Sequence, residues 1–310
     1  MWTKKGHVYS CEMFGTGYCL LPFVDVIDEK TWRIHLTTRT QDVVSYPTYV
    51  DVEAGNPSNI IKKYEEKPLL EKGKLGTFDQ AGFGICSVVE VDGKKYGYTA
   101  GWNKKVDVPY ALNIGLVVSE DGGKNYKRLF DGPILDRTKY DPIFVSAPCV
   151  IKDADIYRMY YISCQEWREV NGKLEATYVI KTATSKNGID FDRNNHICIS
   201  AEYDGEALGR PWVIKDNGIY RMWFSTRGSV DFRKKDGQHY MITYAESKDG
   251  INWERKPNKF NLTTSEEGWD SEMMEYSSVI KWNGIYYMFY NGNAFGKTGF
   301  GYATAKELDK

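Results

Sequence analysis

One phrase recurs along the chain at a nearly fixed interval, and that interval decides what the chain can fold into. The stretch GRPWVIKDNGIYRMWFSTRG, from Gly209 to Gly228, reads as a strand, a tight turn and a second strand. SAPCVIKDADIYRMYYISCQ, beginning at Ser146, repeats it, as do LLPFVDVIDEKTWRIHLTTR, GICSVVEVDGKKYGYTAGWN and EYSSVIKWNGIYYMFYNGN. The equivalent valines are Val24, Val88, Val150, Val213 and Val279, at separations of 64, 62, 63 and 66 residues. Five units of that period account for all 310 residues.

Each unit continues past its hairpin. A third strand recurs as NIGLVVSEDGG, YVIKTATSKNG and MITYAESKDG, alternating with period two and ending in a Gly-containing turn. A shorter version closes the chain as GFGYATAKE. Fourth strands follow in NYKRLF, FDRNNHICI and NWERKPNKF. No segment sustains a 3.6-residue apolar period, so the expectation is an all-β, five-bladed β-propeller with four-stranded antiparallel blades, residues 1–310 forming one domain. Radial repetition of this kind protects the sheet edges. The fifth unit lacks a fourth strand, and WTKKGHVY from Trp2 lines up with WERKPNKF from Trp253. The N-terminal strand is therefore expected to complete the last blade and close the ring.

Composition excludes several roles. Forty-one Lys+Arg against 42 Asp+Glu argues against nucleic acid as a partner, which calls for a basic excess or stripe. No apolar run approaches the ~18 residues of a membrane span. The first residues, MWTKKGHVYSCEMF, carry no apolar secretory core. Six cysteines (Cys11, Cys19, Cys86, Cys149, Cys164 and Cys198) lack any CxxC spacing and read as reduced thiols in the cytoplasm. Neither a metal site nor any other cofactor is expected; the four histidines stand apart in sequence, and no GxSxG elbow, P-loop, dinucleotide fingerprint or HExxH is present.

In a propeller the first strand of each blade lines the central channel, so the positions before the reference valines are where chemistry is sought. Four residues before each valine stand Leu20, Gly84, Ser146, Gly209 and Glu275, followed by Leu21, Ile85, Ala147, Arg210 and Tyr276. Arg210 and Glu275 are charges in an otherwise apolar ring, and a buried charge implies a partner or a ligand; mutual pairing across the channel is the bland alternative. Upstream of the inner strands lie Asp79 in GTFDQAGF, Asp141 in YDPIF, and Asp270 in GWDSEMMEY. A turn aspartate often caps only its own backbone, and Asp141 fits that role equally well. Loops after the second strands offer Arg39 and Asp42, Trp102 and Asn103, Glu166 and Trp167, Arg227, and Asn291. Such groups suit a polyol, whose faces stack on rings while its hydroxyls take hydrogen bonds, and the arginines suit a phosphate or carboxylate.

Together, GTFDQAG, YDPIFVSAPCV, GRPWVIKDNGIYRMWFSTRG, GWDSEM and YNGNAFGKTGFGYA resemble glycoside hydrolases of the family 43 and family 32 superfamily, over essentially the whole chain. More closely, they are similar to members described as predicted glycosyl hydrolases of bacterial polysaccharide gene clusters. The resemblance implies a five-bladed propeller and a sugar or activated sugar as ligand. It does not carry over the superfamily acids residue by residue, because leucines Leu20 and Leu21, Ser146 and Arg210 stand at the comparable places. As a hydrolase, the chain would use Asp79 and Glu275 across a glycosidic bond, with Asp141 as a third acid. Glu275, flanked by Met274 and Tyr276, suits the general acid because an apolar wall raises a carboxyl pKa. The alternatives are a sugar-phosphate or sugar-nucleotide enzyme, with Arg39, Arg210 and Arg227 on the anion, or a non-catalytic sugar-binding propeller.

Overall fold

The computed structural model describes residues 1–233 and 236–308, and these form five four-stranded antiparallel sheets arranged in a ring. The first strand, β1 (Thr3–Tyr9), does not belong to the first blade. Blade 1 runs β2 (Leu20–Val26), β3 (Thr31–Arg39), β4 (Ser45–Glu53) and β5 (Asn56–Tyr64). Blade 2 runs β6 (Phe83–Val91), β7 (Lys94–Lys104), β8 (Tyr110–Ser119) and β9 (Lys127–Arg128). Blade 3 runs β10 (Phe144–Asp153), β11 (Ile156–Val170), β12 (Lys173–Ser185) and β13 (Asp192–Ile199). Blade 4 runs β14 (Ala207–Asp216), β15 (Ile219–Arg227), β16 (Met241–Ser247) and β17 (Glu254–Arg255). Blade 5 runs β18 (Glu275–Trp282), β19 (Ile285–Asn291) and β20 (Phe300–Ala305), and β1 pairs with β20 as its outer strand. The ring closes as the sequence anticipates.

Repetition of the sequence becomes repetition of register. The five reference valines each pair with the equivalent residue of the second strand: Val24 with Ile34, Val88 with Gly97, Val150 with Met159, Val213 with Met222, Val279 with Met288. Apolar faces of neighbouring blades pack into a separate cluster at each of the five blade interfaces. Latches join blades too, through Tyr98 donating to the Gly188 carbonyl at 2.8 Å and Tyr160 donating to that of Gly250 at 2.9 Å. The acceptors sit in the Asn-Gly and Asp-Gly turns that end the third strands, which explains why those turns recur.

Every inner strand carries a bulge shortly before its reference valine. Four of the bulged residues, Leu21, Ala147, Arg210 and Tyr276, have left-handed φ angles of 58°, 51°, 26° and 54°. Such a conformation costs roughly 1–3 kcal/mol at a non-glycine residue and is held only where the surroundings impose it. Its effect is to break the alternation of inner-strand side chains at one level of the channel. That level is the floor of the central cavity.

Candidate functional site

A cavity of about 390 Å³ opens in the middle of the ring, within the range of small-molecule sites. Its floor is the bulge level, with Leu20, Leu21, Gly84, Ser146, Ala147, Gly209, Arg210 and Tyr276 contributed by all five inner strands. At Gly84 a Cβ would lie 2.1 Å from Thr37 Oγ1, so that wall is drawn in too closely for a side chain. The upper wall comes from second-strand ends (Arg39, Trp102, Arg227) and from tyrosines in or next to third strands (Tyr110, Tyr178, Tyr240). Phe232 and Tyr240 pack with Met273, Tyr276 and Phe295 as an aromatic rim.

Arg210 is fully buried and lies across the channel. Its guanidinium donates to the carbonyls of Tyr276 at 2.6 Å and of Pro22 and Cys86 at 3.2 Å, on blades 5, 1 and 2. It does not pair with Glu275. Burial pulls its pKa down to about 10, still far above neutrality, so the floor carries a positive charge bonded only to neutral oxygens. Arg227 donates to the carbonyls of Ala176 and Gly228 and lies 3.7 Å above the Phe232 ring. Arg39 donates through Nε to Ser45 Oγ at 3.1 Å. No described carboxylate lies within ion-pairing distance of Arg39, Arg210 or Arg227, whereas Arg233 at the rim pairs with Glu175. The Nε atoms of Arg210 and Arg227 are buried without a hydrogen-bond partner.

Glu275 takes the fifth place in the ring whose other members, Leu20, Gly84, Ser146 and Gly209, all line the cavity, but is not itself among the lining residues. It is fully buried. Asn291 Nδ2 donates to its Oε1 at 2.9 Å and accepts, through Oδ1, from the Leu21 amide, while Oε2 has no partner. Burial raises its pKa to about 8, opposed by the Asn291 hydrogen bond and the charges of Arg39 and Arg227. At neutral pH it is a protonated acid adjoining a cationic cavity.

The other sequence-derived acids are placed differently. Asp79 accepts from Arg128 through Oδ2 at 2.6 and 2.9 Å and from Thr77 through Oδ1. Asp141 meets Arg193 at 2.9 Å and Lys181 at 3.3 Å, and Asp270 meets Lys4 at 2.7 Å and the Tyr290 hydroxyl at 3.0 Å. Glu206, which sequence reading passed over, meets Arg255 in the same way at 2.9 Å. These are one device in four copies: an acid before the inner strand is tied to a cation on the outermost strand of its own blade. The cation follows an aromatic residue by two places, as in Tyr126 and Arg128, Phe191 and Arg193, Trp253 and Arg255, Trp2 and Lys4. None of the four acids lines the cavity.

Of the expected binding residues, Arg39, Trp102, Arg210 and Arg227 line the cavity together, and Asn291 reaches it only through Glu275 and Leu21. Asp42 and Glu166 are exposed and outside it, Glu166 lying 3.6 Å from Arg168. Asn103 is spent on the Thr77 carbonyl, and Trp167 packs against Tyr110 and Phe144. The tyrosines Tyr110, Tyr178 and Tyr240 were missed, although their spacing, 68 and 62 residues, follows the repeat. Among the described residues no cluster of His, Cys, Asp and Glu could hold a metal, and no helix is long and apolar enough to cross a membrane.

No protein-family model matches the chain. It is 33% identical over 306 residues to the uncharacterized protein Rv1502 of Mycobacterium tuberculosis, spanning 97% of this chain and 98% of the relative. The same values hold for the uncharacterized protein MT1551 from a second strain of that organism. Among solved structures, a glycoside hydrolase superposes with a TM-score of 0.75 at 18% identity, covering 98% of this chain and 91% of the other. A thermostable family-43 glycoside hydrolase gives 0.66 at 16% identity, covering 96% and 91%. An endo-arabinase from Bacteroides thetaiotaomicron gives 0.64 at 16%, covering 99% of both chains. The resemblance to family 43 propellers therefore holds at the level of fold.

Proposed function

We propose that this chain, which belongs to the family of the mycobacterial protein Rv1502, is a carbohydrate-active enzyme that binds a glycoside or activated sugar in its central cavity, with Glu275 as proton donor. The fold likeness to glycoside hydrolases supports the substrate class by analogy only, since one fold hosts many activities. The observation that carries the reading is Glu275: a carboxyl that is neutral at pH 7, with one free oxygen, in the channel ring. A neutral carboxyl can protonate a leaving-group oxygen as its bond to the sugar breaks, a contribution worth typically 10²–10⁴-fold in rate.

The reading for a transferase or other enzyme of activated sugars is favoured over water-driven hydrolysis by the state of Asp79. Two-carboxylate hydrolysis needs a second acid free to act as base or nucleophile. Arg128 and Thr77 occupy both oxygens of Asp79, and the described lining holds neither Asp nor Glu. In a sugar phosphate the departing group is a phosphate oxygen, which the neutral Glu275 can protonate as the bond to the sugar breaks without a second carboxylate acting as nucleophile. The six cysteines, all free and buried, suit a reducing compartment, which supports a cytoplasmic role in glycan assembly.

Turnover of aryl glycosides, sugar phosphates and nucleotide sugars, followed by product detection, tests the assignment. Glu275→Gln is expected to lower kcat at least 100-fold while ligand binding persists, and Asp79→Asn to keep turnover per folded molecule. Unchanged turnover in Glu275→Gln overturns the proton-donor role. Binding without turnover of any member of the panel leaves a sugar-binding propeller instead.

A further inference from the structure

The cavity contains more positive charge than the protein balances. Arg39, Arg210 and Arg227 line it without an ion-pair partner among the described residues. Glu275, whose charge couples to Arg39 and Arg227, has its pKa raised to about 8 by burial and so offers them little compensation at neutral pH. Burial also lowers the pKa of Arg39, the sign of a cation poorly solvated where it stands. Uncompensated buried charge is expensive, and proteins carry it where a ligand supplies the opposite sign.

The three arginines differ in what they have left to offer. Arg210 spends both terminal nitrogens on channel carbonyls, so it acts chiefly as a fixed charge beneath the cavity. Arg227 is braced by two carbonyls and by the Phe232 ring, which fixes its orientation; its buried Nε has no partner. Among the described residues Arg39 is held only through Nε, and its terminal nitrogens have no acceptor there. Tyr110, Tyr178 and Tyr240 line the cavity beside them, and aromatic residues are suited to packing against a sugar face.

We propose that the cavity is built for a sugar carrying an anionic group, a phosphate or a carboxylate, with the anion between Arg39 and Arg227 and the ring against the tyrosine wall. The inference rests on the carbohydrate reading for its sugar half and on the arginines alone for its anion half. A bound anion also holds the Glu275 proton in place, because a second negative charge nearby disfavours its loss. Substrate binding and the readiness of the acid are thereby coupled.

Calorimetry and thermal shift on the full chain separate the two halves, using glucose, glucose 1-phosphate, glucuronate, UDP-glucose and inorganic phosphate as probes. Stabilisation by one or more of the charged sugars, with none by glucose and at least tenfold weaker binding of inorganic phosphate, is the expected result. Glucuronate against glucose 1-phosphate tells a carboxylate from a phosphate. Inorganic phosphate binding as tightly as every charged sugar overturns the sugar half while leaving an anion site. Glucose binding better than the charged probes overturns the anion half and leaves the carbohydrate reading standing, and no shift with any charged probe at millimolar concentration overturns the proposal outright. Arg39→Gln, at the cavity edge, is expected to fold and to weaken the charged sugars at least tenfold. Arg227→Lys keeps the charge but loses the planar fork, and should weaken the same ligands even where its melting temperature matches wild type. Undiminished binding in both variants overturns the assignment of the clamp.

Discussion

Arg128 closes on Asp79 with two nitrogens on one carboxylate oxygen, at 2.6 and 2.9 Å, and the pair joins the outermost strand of blade 2 to the segment leading into its innermost strand. The carboxylate side chain is 3% exposed and that of Arg128 is 19% exposed. Removing one partner of such a pair strands the other, which costs about 3 kcal/mol or more. Asp79→Ala is therefore expected to lower the urea midpoint substantially, with ligand affinity retained by the folded fraction. Asp141→Ala should behave alike, since Arg193 and Lys181 hold it in the same role. A variant as stable as wild type but unable to bind ligand would return Asp79 to the active site.

That device marks where the sequence was legible and where it was not. The blades, their register and the closure by β1 follow from a period that any reader of the chain can count, because each blade solves the same packing problem. Asp79 and Asp141 stand just ahead of channel strands, yet an acid tied to an outer-strand cation recurs at that place in four of the five blades. The sequence signal for that role lies at the fourth strands, where an aromatic residue and then a cation recur at two-residue spacing. Arg227 and Glu275 were visible as departures from the repeat. Their relative placement was not, since it depends on how the bulges turn the inner strands, and left-handed residues such as Tyr276 carry no sequence signature.

Glu275 gives a pH dependence of definite sign. Its folded-state pKa, about 8, exceeds the ordinary 4.5, so its contribution to stability is complete below about pH 4.5 and is lost as pH rises through 8. Glu275→Gln removes the titrating group and keeps a polar side chain beside Asn291. The expected outcome is a variant that melts higher than wild type at pH 8 and at the same temperature near pH 4.5. If turnover is found, its rate should fall above about pH 8 as the acid loses its proton. A melting difference that does not change between these pH values would show that the carboxyl titrates normally.

His35 predicts the opposite sign on the acid side. Its ring is 1% exposed, stacked on Phe23 at 4.8 Å, and neither ring nitrogen has a hydrogen-bond partner. Burial lowers its pKa, Asp25 at 3.8 Å opposes this, and Arg33 and Lys95 add to the lowering. Tyr49 and Tyr126 complete the surroundings. The neutral ring's contribution is present above the unfolded value of 6.5 and is lost as pH falls below it, at no more than about 1.4 kcal/mol per pH unit. His35→Phe is expected to flatten the fall in urea midpoint between pH 6.5 and 5. An unchanged slope would assign the acid sensitivity to other groups.

The last test concerns closure of the ring. Trp2 precedes β1, is 5% exposed and meets Trp223 of blade 4 edge-on at 6.0 Å. Its amide donates to Asn261 Oδ1 at 2.9 Å, and its carbonyl accepts from Asn261 Nδ2 at 3.0 Å. Two more residues along, Lys4 grips Asp270, so one short segment supplies both the aromatic and the cation that blades 2, 3 and 4 carry at their own fourth strands. Truncating a buried tryptophan costs about 3–5 kcal/mol, and here the loss falls on the strand that joins the chain's beginning to its end. Trp2→Ala is expected to lower the melting temperature by several degrees and to raise hydrogen exchange in β1 and β20 before the other blades. Uniform acceleration across all five blades would mean instead that the ring opens as one unit, with no weak point at the closure.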